Sequence, residues 1–529
     1  MEKMTHIRIL LLCLGMCLSL AGVAAQENSF DILEYRVEGN KLLSVYQIEE
    51  AVYAHLGEKK SIDDVERARA ALEKTYHDAG YLTVLVDIPE QSVNGGIVHL
   101  KVMEGSVGRV RVTGSRYYSM SRILSKVPEL AAGNVPYFPA LQKQLEAVNR
   151  PADLKIAPVL RPGKTPGTVE AELKVADKLP LHESLSLDNH RSANTTPLRL
   201  SGTVRYDNLW QKEHSVSLSF QTSPQNTSQV KVLSGTYVVP FNSGNQLAVY
   251  GVLSRSNVAA IGSMTVLGQG NILGARWVMP LPARETFQHS LTLGVDYKDF
   301  KDDTYLSGAN TGRTPISYIP FSAGYNASLS EDGAVTNANA TMNFKFRGLG
   351  DRMVFCNGQM TTQFECKRLN ATPDYFYVRA GLDSTLELPR GLAFFARADG
   401  QIAGGPLISN EEFTAGGADS VRGYFEAEQA ADDGLHATFE LRGPQWAGKV
   451  SSRLNDLRSV VFVDEAHLRV REALPGQTSR FDLASAGFGV RLAAMNAFSM
   501  VLDVAWPLRA STYTPAGRPV VLFRTVIEN

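Results

Sequence analysis

Few residues of this chain combine a type and a spacing that could do chemistry, and the foremost is an arginine. Arg422 stands in "GGADSVRGY" (416–424), with Val421 before it and Gly423 and Tyr424 after it. The glycines let the backbone fold tightly. Tyr424 supplies an apolar body with a polar tip. On an exposed loop such an arginine is a solvated charge, but one tucked into an interior needs a carboxylate partner. A candidate partner lies in "VVFVDEAHL" (460–468). If this is a strand, Phe462 and Asp464 share one face and Val461 and Val463 the other. With the valines facing apolar surroundings, Asp464 points inward, and a bidentate Arg422–Asp464 pair would pin the loop.

Other candidates reduce to structure. Cys356 and Cys366 bracket "CNGQMTTQFEC" with no histidine between them. In an oxidising compartment a disulfide is expected there, and a metal site is not. "RPGKTPG" (161–167) echoes a phosphate-binding loop, but Pro158 stands where that motif needs glycine, and the segment bridges two strands rather than a strand and a helix. No cofactor is expected. His467 near Asp464 is the one suggestive catalytic cluster, and neither G-x-S-x-G nor H-E-x-x-H occurs. The chain is read as a non-enzyme. With 53 Lys+Arg against 54 Asp+Glu, the charge balance gives no sign of a nucleic-acid partner.

The elements that must position these residues begin beyond an export signal. Lys3 and Arg8 precede an apolar run from Ile9 to Leu20, and Val23 and Ala25 fit a cleavage site. Residues 1–25 read as a signal peptide. No later run reaches the ~20 apolar residues of a membrane helix. Next comes a repeat: Val37, Gly39 and Ser44 recur as Val112, Gly114 and Ser119, a shift of 75 residues. In the first copy a strand ends at Gly39-Asn40, Ser44 and Ser61 start helices, and two alternating segments form a hairpin. The order β-α-α-β-β predicts two α+β modules, 26–105 and 106–178.

From residue 179 to 529 the periodicity is two. In "SVSLSFQ" (215–221), "SLTLGVDYK" (290–298) and "NANATMNFKF" (337–346), apolar and polar residues occupy opposite faces. About 16 such segments are expected, each with its connection about 22 residues long, the pattern of a transmembrane barrel with a polar lumen. Short turns alternate with long connections, as periplasmic turns and external loops do. The loop 403–433, read as the longest, carries Arg422 between the eleventh and twelfth strands.

At this point the chain resembles the outer-membrane transporters of two-partner secretion, the TpsB family of filamentous-haemagglutinin and haemolysin exporters. This family lies within the superfamily of POTRA-barrel proteins that includes BamA. The β-α-α-β-β repeat resembles two POTRA domains, "VRGY" (421–424) the superfamily's loop signature, and "FVDEA" (462–466) the inward strand motif Phe-x-Asp-x-Gly, with Ala466 in place of the glycine. The resemblance implies a barrel preceded by two periplasmic POTRA domains in a Gram-negative outer membrane. It implies a monomer that exports an unfolded, large, β-helical partner polypeptide without ATP. Lipids surround the barrel, and barrel-assembly machinery and periplasmic chaperones serve its biogenesis. The alternative is an assembly or insertion factor of the same superfamily. Two departures stand out: the family's N-terminal plug helix is not visible before the first module, and the chain ends in Asn529 rather than phenylalanine.

Overall fold

Gly39 and Gly114 show why the sequence repeats. Both lie in the left-handed region, at φ +89° and +86°, and a Cβ on either would fall 2.4 Å from the Val102 carbonyl oxygen or 2.3 Å from that of Val175. Only glycine fits a backbone packed so closely on the next strand. The computed structural model describes residues 29–529 except 257, 262, 263, 302, 307, 308, 314 and 357. The expected signal peptide lies outside the described residues. The chain divides into two compact units, one ending at Lys178 and one starting at Leu179.

In the N-terminal unit, the first module runs strand Glu34–Glu38, helices Val45–Tyr53 and Ile62–Asp78, strands Val84–Asp87 and Ile97–Glu104. The last strand lies between the other two, parallel to the first and antiparallel to the second. Ser44 with Gln47, and Ser61 with Asp64, close reciprocal capping boxes, which satisfy backbone donors at each helix start. The second module repeats the plan with strand Ser106–Thr113, helices Met120–Lys126 and Phe138–Val148, and strands Leu154–Pro162 and Thr168–Asp177. Each module buries its own apolar core, around Leu72, Tyr76 and Leu100 in one and Ile123, Leu141 and Leu173 in the other. A short pair, Phe30–Ile32 with Gly57–Lys60, adds a ladder that the repeat did not predict.

The second unit is a closed antiparallel barrel of sixteen strands, as expected. Its first eight are β1 Leu181–Asp188, β2 Arg199–Leu209, β3 His214–Thr222, β4 Lys231–Pro240, β5 Gln246–Ser254, β6 Gly270–Pro280, β7 Phe287–Phe300, and β8, Ile316–Tyr318 continued as Phe321–Glu331. The rest are β9 Ala334–Phe344, β10 Phe376–Leu388, β11 Leu392–Ala403, β12 Asp433–Arg442, β13 Leu454–Arg469, β14 Arg480–Ala494, β15 Phe498–Pro507 and β16 Val520–Glu528. Leu218, Leu293, Phe439, Val461 and Phe488 point outward and are exposed, while Asp296, Glu440, Asp464 and Asp503 are buried inside. Lipid outside and a polar interior demand this inversion. The seam pairs only Ser184–Asp188 with Arg524–Glu528, whereas β13 and β14 pair along almost their whole length. Beside the seam, the Asn189 side chain donates to the Val521 carbonyl at 2.8 Å and accepts from the Phe523 N–H at 2.9 Å.

Two findings correct the sequence reading. The connection 345–375 between β9 and β10 slightly exceeds 404–432 between β11 and β12, so the arginine loop is not the longest. Nor is the bore polar throughout. Phe364 and Ala371 from 345–375, and Leu407 and Ile408 from 404–432, pack on Tyr250, Val252 and Ile272 of the inner wall. Loops that fold inward need an apolar core of their own, and inward apolar residues on β4 to β6 provide its other half.

Candidate functional site

Loop 404–432 descends from the external rim and places Arg422, 4% exposed, against the inner faces of β12 to β15. Nε and Nη2 donate to the two carboxylate oxygens of Asp464, each at 2.8 Å. The Arg422 backbone N–H reaches Asp464 Oδ2 at 3.1 Å. Nη1 donates to Glu440 at 2.8 Å, and Asp503 lies 3.6 Å away. The guanidinium lies 3.4 Å from the centre of the Phe462 ring. Arg442 holds Glu440 at 2.9 Å and Arg491 holds Asp503 at 2.5 Å. Three arginines thus meet three carboxylates, which offsets the cost of removing them from water. The planar fork of arginine matches this geometry as lysine would not.

The flanking residues fix the tip. Val421 is fully buried with Ala466, Leu468 and Leu483. Gly423, at φ +95°, lies so close to the wall that a Cβ would meet Pro507 at 3.1 Å. The Tyr424 hydroxyl donates to the Arg509 carbonyl at 2.6 Å and lies 3.0 Å from the Ala484 carbonyl. Ala466 is fully buried in the same cluster. All of Val421, Arg422, Gly423, Tyr424, Phe462 and Asp464 therefore converge. His467 does not: it sits on the outer face of β13, half exposed, with Asp482 and Glu465.

Comparison with known proteins bears on what such a barrel does. Residues 30–105 match the ShlB-type POTRA domain. Residues 167–492 match the haemolysin secretion/activation protein family ShlB/FhaC/HecB. The chain belongs to this family. Among curated relatives, the outer membrane transporter CdiB of Dickeya dadantii is 20% identical over 95% of this chain and 87% of its own. The heme/hemopexin transporter protein HuxB of Haemophilus influenzae is 20% identical over 91% and 84%. Solved structures share the fold. CdiB from Escherichia coli aligns with TM-score 0.59 at 18% identity, over 96% of this chain and 92% of that one. BamA from Haemophilus ducreyi lacking its first three POTRA domains gives 0.57 at 12% identity, over 95% and 100%. As a ShlB/FhaC/HecB-type protein, the chain is an outer-membrane transporter of two-partner secretion. It exports a partner protein through its barrel and holds its POTRA domains in the periplasm.

The transporter's loop has a second anchor that the sequence reading missed. At its base, the buried Glu411 carboxylate accepts from Lys298 of β7 at 2.6 Å, Tyr318 of β8 at 2.5 Å and Tyr377 of β10 at 2.6 Å. Arg368 makes a bidentate pair with the fully buried Asp432, both distances 2.7 Å, and reaches Glu412 at 2.7 Å. Arg368 follows closely on Cys366, which is disulfide-bonded to Cys356. The base thus ties both long loops together over the apolar core. Glu440 and Asp503 were also missed, although both occupy inward positions of alternating strands, which was the available signal. Nothing comparable marks Glu411 or Arg368, because irregular loops have no periodicity to read.

Proposed function

We propose that loop 404–432 is the gate of this exporter and that Arg422 is its clasp. The supporting observation is the buried, three-carboxylate seat of Arg422 on β12 to β15. With its tip seated there and its base packed toward β4–β10, the loop leaves a cavity of about 720 Å³ along β1 to β3. Ser184, Ser186, Ser201, Thr203, Ser219 and Gln221 line that wall. Such groups exchange hydrogen bonds with a passing backbone without holding it, while Arg397 and Asp399 opposite keep the path wet.

The partner crosses the barrel unfolded, as extended chain. No nucleotide drives it; folding of the partner outside prevents return. By likeness to its transporter relatives the cargo is a large secreted protein of β-helical type, and the exporter acts as a monomer. Biogenesis uses the barrel-assembly machinery and periplasmic chaperones. The short seam supports a second reading, an insertion factor that opens between β1 and β16. Replacing Ser186 and Val526, which face each other across the seam, by cysteines separates the two. Export that continues with the seam crosslinked favours passage through the bore. Export that stops favours the seam. For the gate itself, Arg422→Ala is expected to insert as a heat-modifiable barrel yet to secrete little partner. Normal secretion by that variant removes the loop from the mechanism.

A further inference from the structure

The two POTRA sheets offer four edge strands, and an extended polypeptide can add only where an edge has free backbone groups. In the first module, the Val84–Asp87 edge is closed by its own helix. Glu73 accepts from the Val86 N–H at 3.0 Å and Arg69 donates to the Val86 carbonyl at 3.3 Å. His77 lies 3.0 Å from the Val84 carbonyl, and the Val84 N–H is taken by Tyr81. In the second module, the corresponding edge Leu154–Pro162 is closed differently. The Asn149 amide accepts from the Ile156 N–H at 2.6 Å and donates to its carbonyl at 3.0 Å. Residues 154 and 156 therefore face outward, and by the two-residue period so do 158, 160 and 162. Two of these are prolines, which carry no N–H. Leu160 alone keeps an outward donor.

The opposite edge of that sheet, Ser106–Thr113, is capped only at its start, where Val107 exchanges 2.7 Å bonds with Asn134 and Gly133. The register breaks at Gly108. Beyond it, among the described residues, no other segment bonds to the open side of 109–113. Arg109 and Arg111 are exposed there, and neither makes an ion pair among the described residues. The carboxylates beside them on the central strand are Glu170 and Glu172, and Glu172 already serves Arg161 at 3.4 Å and Thr113 at 3.1 Å. The remaining edge, Glu34–Glu38, spends its charges internally: Glu34 pairs with Arg36 and Glu38 with His99.

We propose that Arg109–Thr113 is the edge that captures the exported polypeptide. An extended segment of the unfolded partner adds as a further strand, and its acidic side chains at alternate positions meet Arg109 and Arg111. This inference rests on the export reading above. The other two blocked edges protect the sheets from indiscriminate pairing.

The test uses the full chain in detergent micelles and three fluorescent ten-residue probes. These are an alternating Thr-Glu peptide, an alternating Thr-Lys peptide, and the Thr-Glu peptide N-methylated at every second residue. Anisotropy is expected to show the Thr-Glu probe binding at least tenfold tighter than Thr-Lys, and N-methylation is expected to cost at least tenfold. The double variant Arg109→Glu/Arg111→Glu should reverse the charge preference while circular dichroism and heat-modifiable mobility stay unchanged. Equal binding of the probes, indifference to N-methylation, or a preference that changes instead with Glu34→Lys/Glu38→Lys overturns the assignment. Secretion assays keep the two readings apart. If deleting the gene leaves every surface and secreted protein in place, the export reading fails. If wild-type export is normal and the Arg109/Arg111 variant matches it, only the edge assignment fails.

Discussion

The two units of this transporter place their ion pairs under opposite solvation. In the first POTRA domain, Lys74 pairs with Asp78 one helical turn on, with side chains 73% and 65% exposed. In the barrel, Arg422 pairs with Asp464 at 2.8 Å, with side chains 5% and 0% exposed. Water competes for the first pair and is excluded from the second. A surface pair contributes about 0–1 kcal/mol. Breaking a buried one costs about 3–5 kcal/mol, because the abandoned charge has nowhere to go. The POTRA domains are ordinary globular modules, apolar within and charged without. The barrel inverts that order, and its charges become the determinants of loop position.

The strongest way to break this contrast is at the clasp. Arg422→Ala is expected to lower partner secretion by about tenfold or more, consistent with a loss of about 3–5 kcal/mol at a buried pair. Asp464→Ala should behave alike, and the double variant should be no worse than either single one, which immunoblots of culture medium would measure. Next in size is Gly114→Ala. The left-handed backbone and the Val175 carbonyl at 2.3 Å predict a loss of about 1–3 kcal/mol in the second POTRA domain. Faster protease cleavage of the periplasmic unit in the full chain, with the barrel intact, would show it. Lys74→Ala, which removes the exposed pair with Asp78, should cost under about 1 kcal/mol and leave secretion within twofold. A large secretion defect in Lys74→Ala would erase the contrast between the units.

The smallest effect concerns pH. Hydrogen bonds from Ser61, first from its backbone, and the nearby Arg67 hold Asp64 below the usual carboxylate range. Its contribution to the helix start is present above the unfolded value and is lost as pH falls through the lowered one. Protease sensitivity of the first POTRA domain should therefore rise on acidification below about pH 4. Asp64→Asn should flatten that rise slightly. No change in the profile would mean that the capping box is energetically idle.

Much of this was legible in the sequence where local rules apply. Period-two alternation exposed the barrel strands because lipid and lumen impose opposite polarity on neighbouring residues. The Gly39/Gly114 and Ser44/Ser119 repeat exposed the modules because a close strand crossing and a helix start each tolerate few residue types. Asp464 was found as the partner of Arg422 because the inward face of one strand could be read beside its valines. Glu411, Arg368 and the apolar core beneath them could not be found this way. They join positions far apart in the chain, on loops with no period, and only closure of the cylinder brings them within bonding distance.

The sequence by itself determined which residues face lipid, which face the bore, and where the backbone must turn, since those choices depend on each residue and its immediate neighbours. Tertiary structure alone decided that Arg422 has three carboxylates rather than one, that an apolar core forms inside the bore between the two long loops and the wall, and which POTRA edges stay open. Each of these is a matter of which distant groups become neighbours, and that is fixed only once water has been excluded from between them.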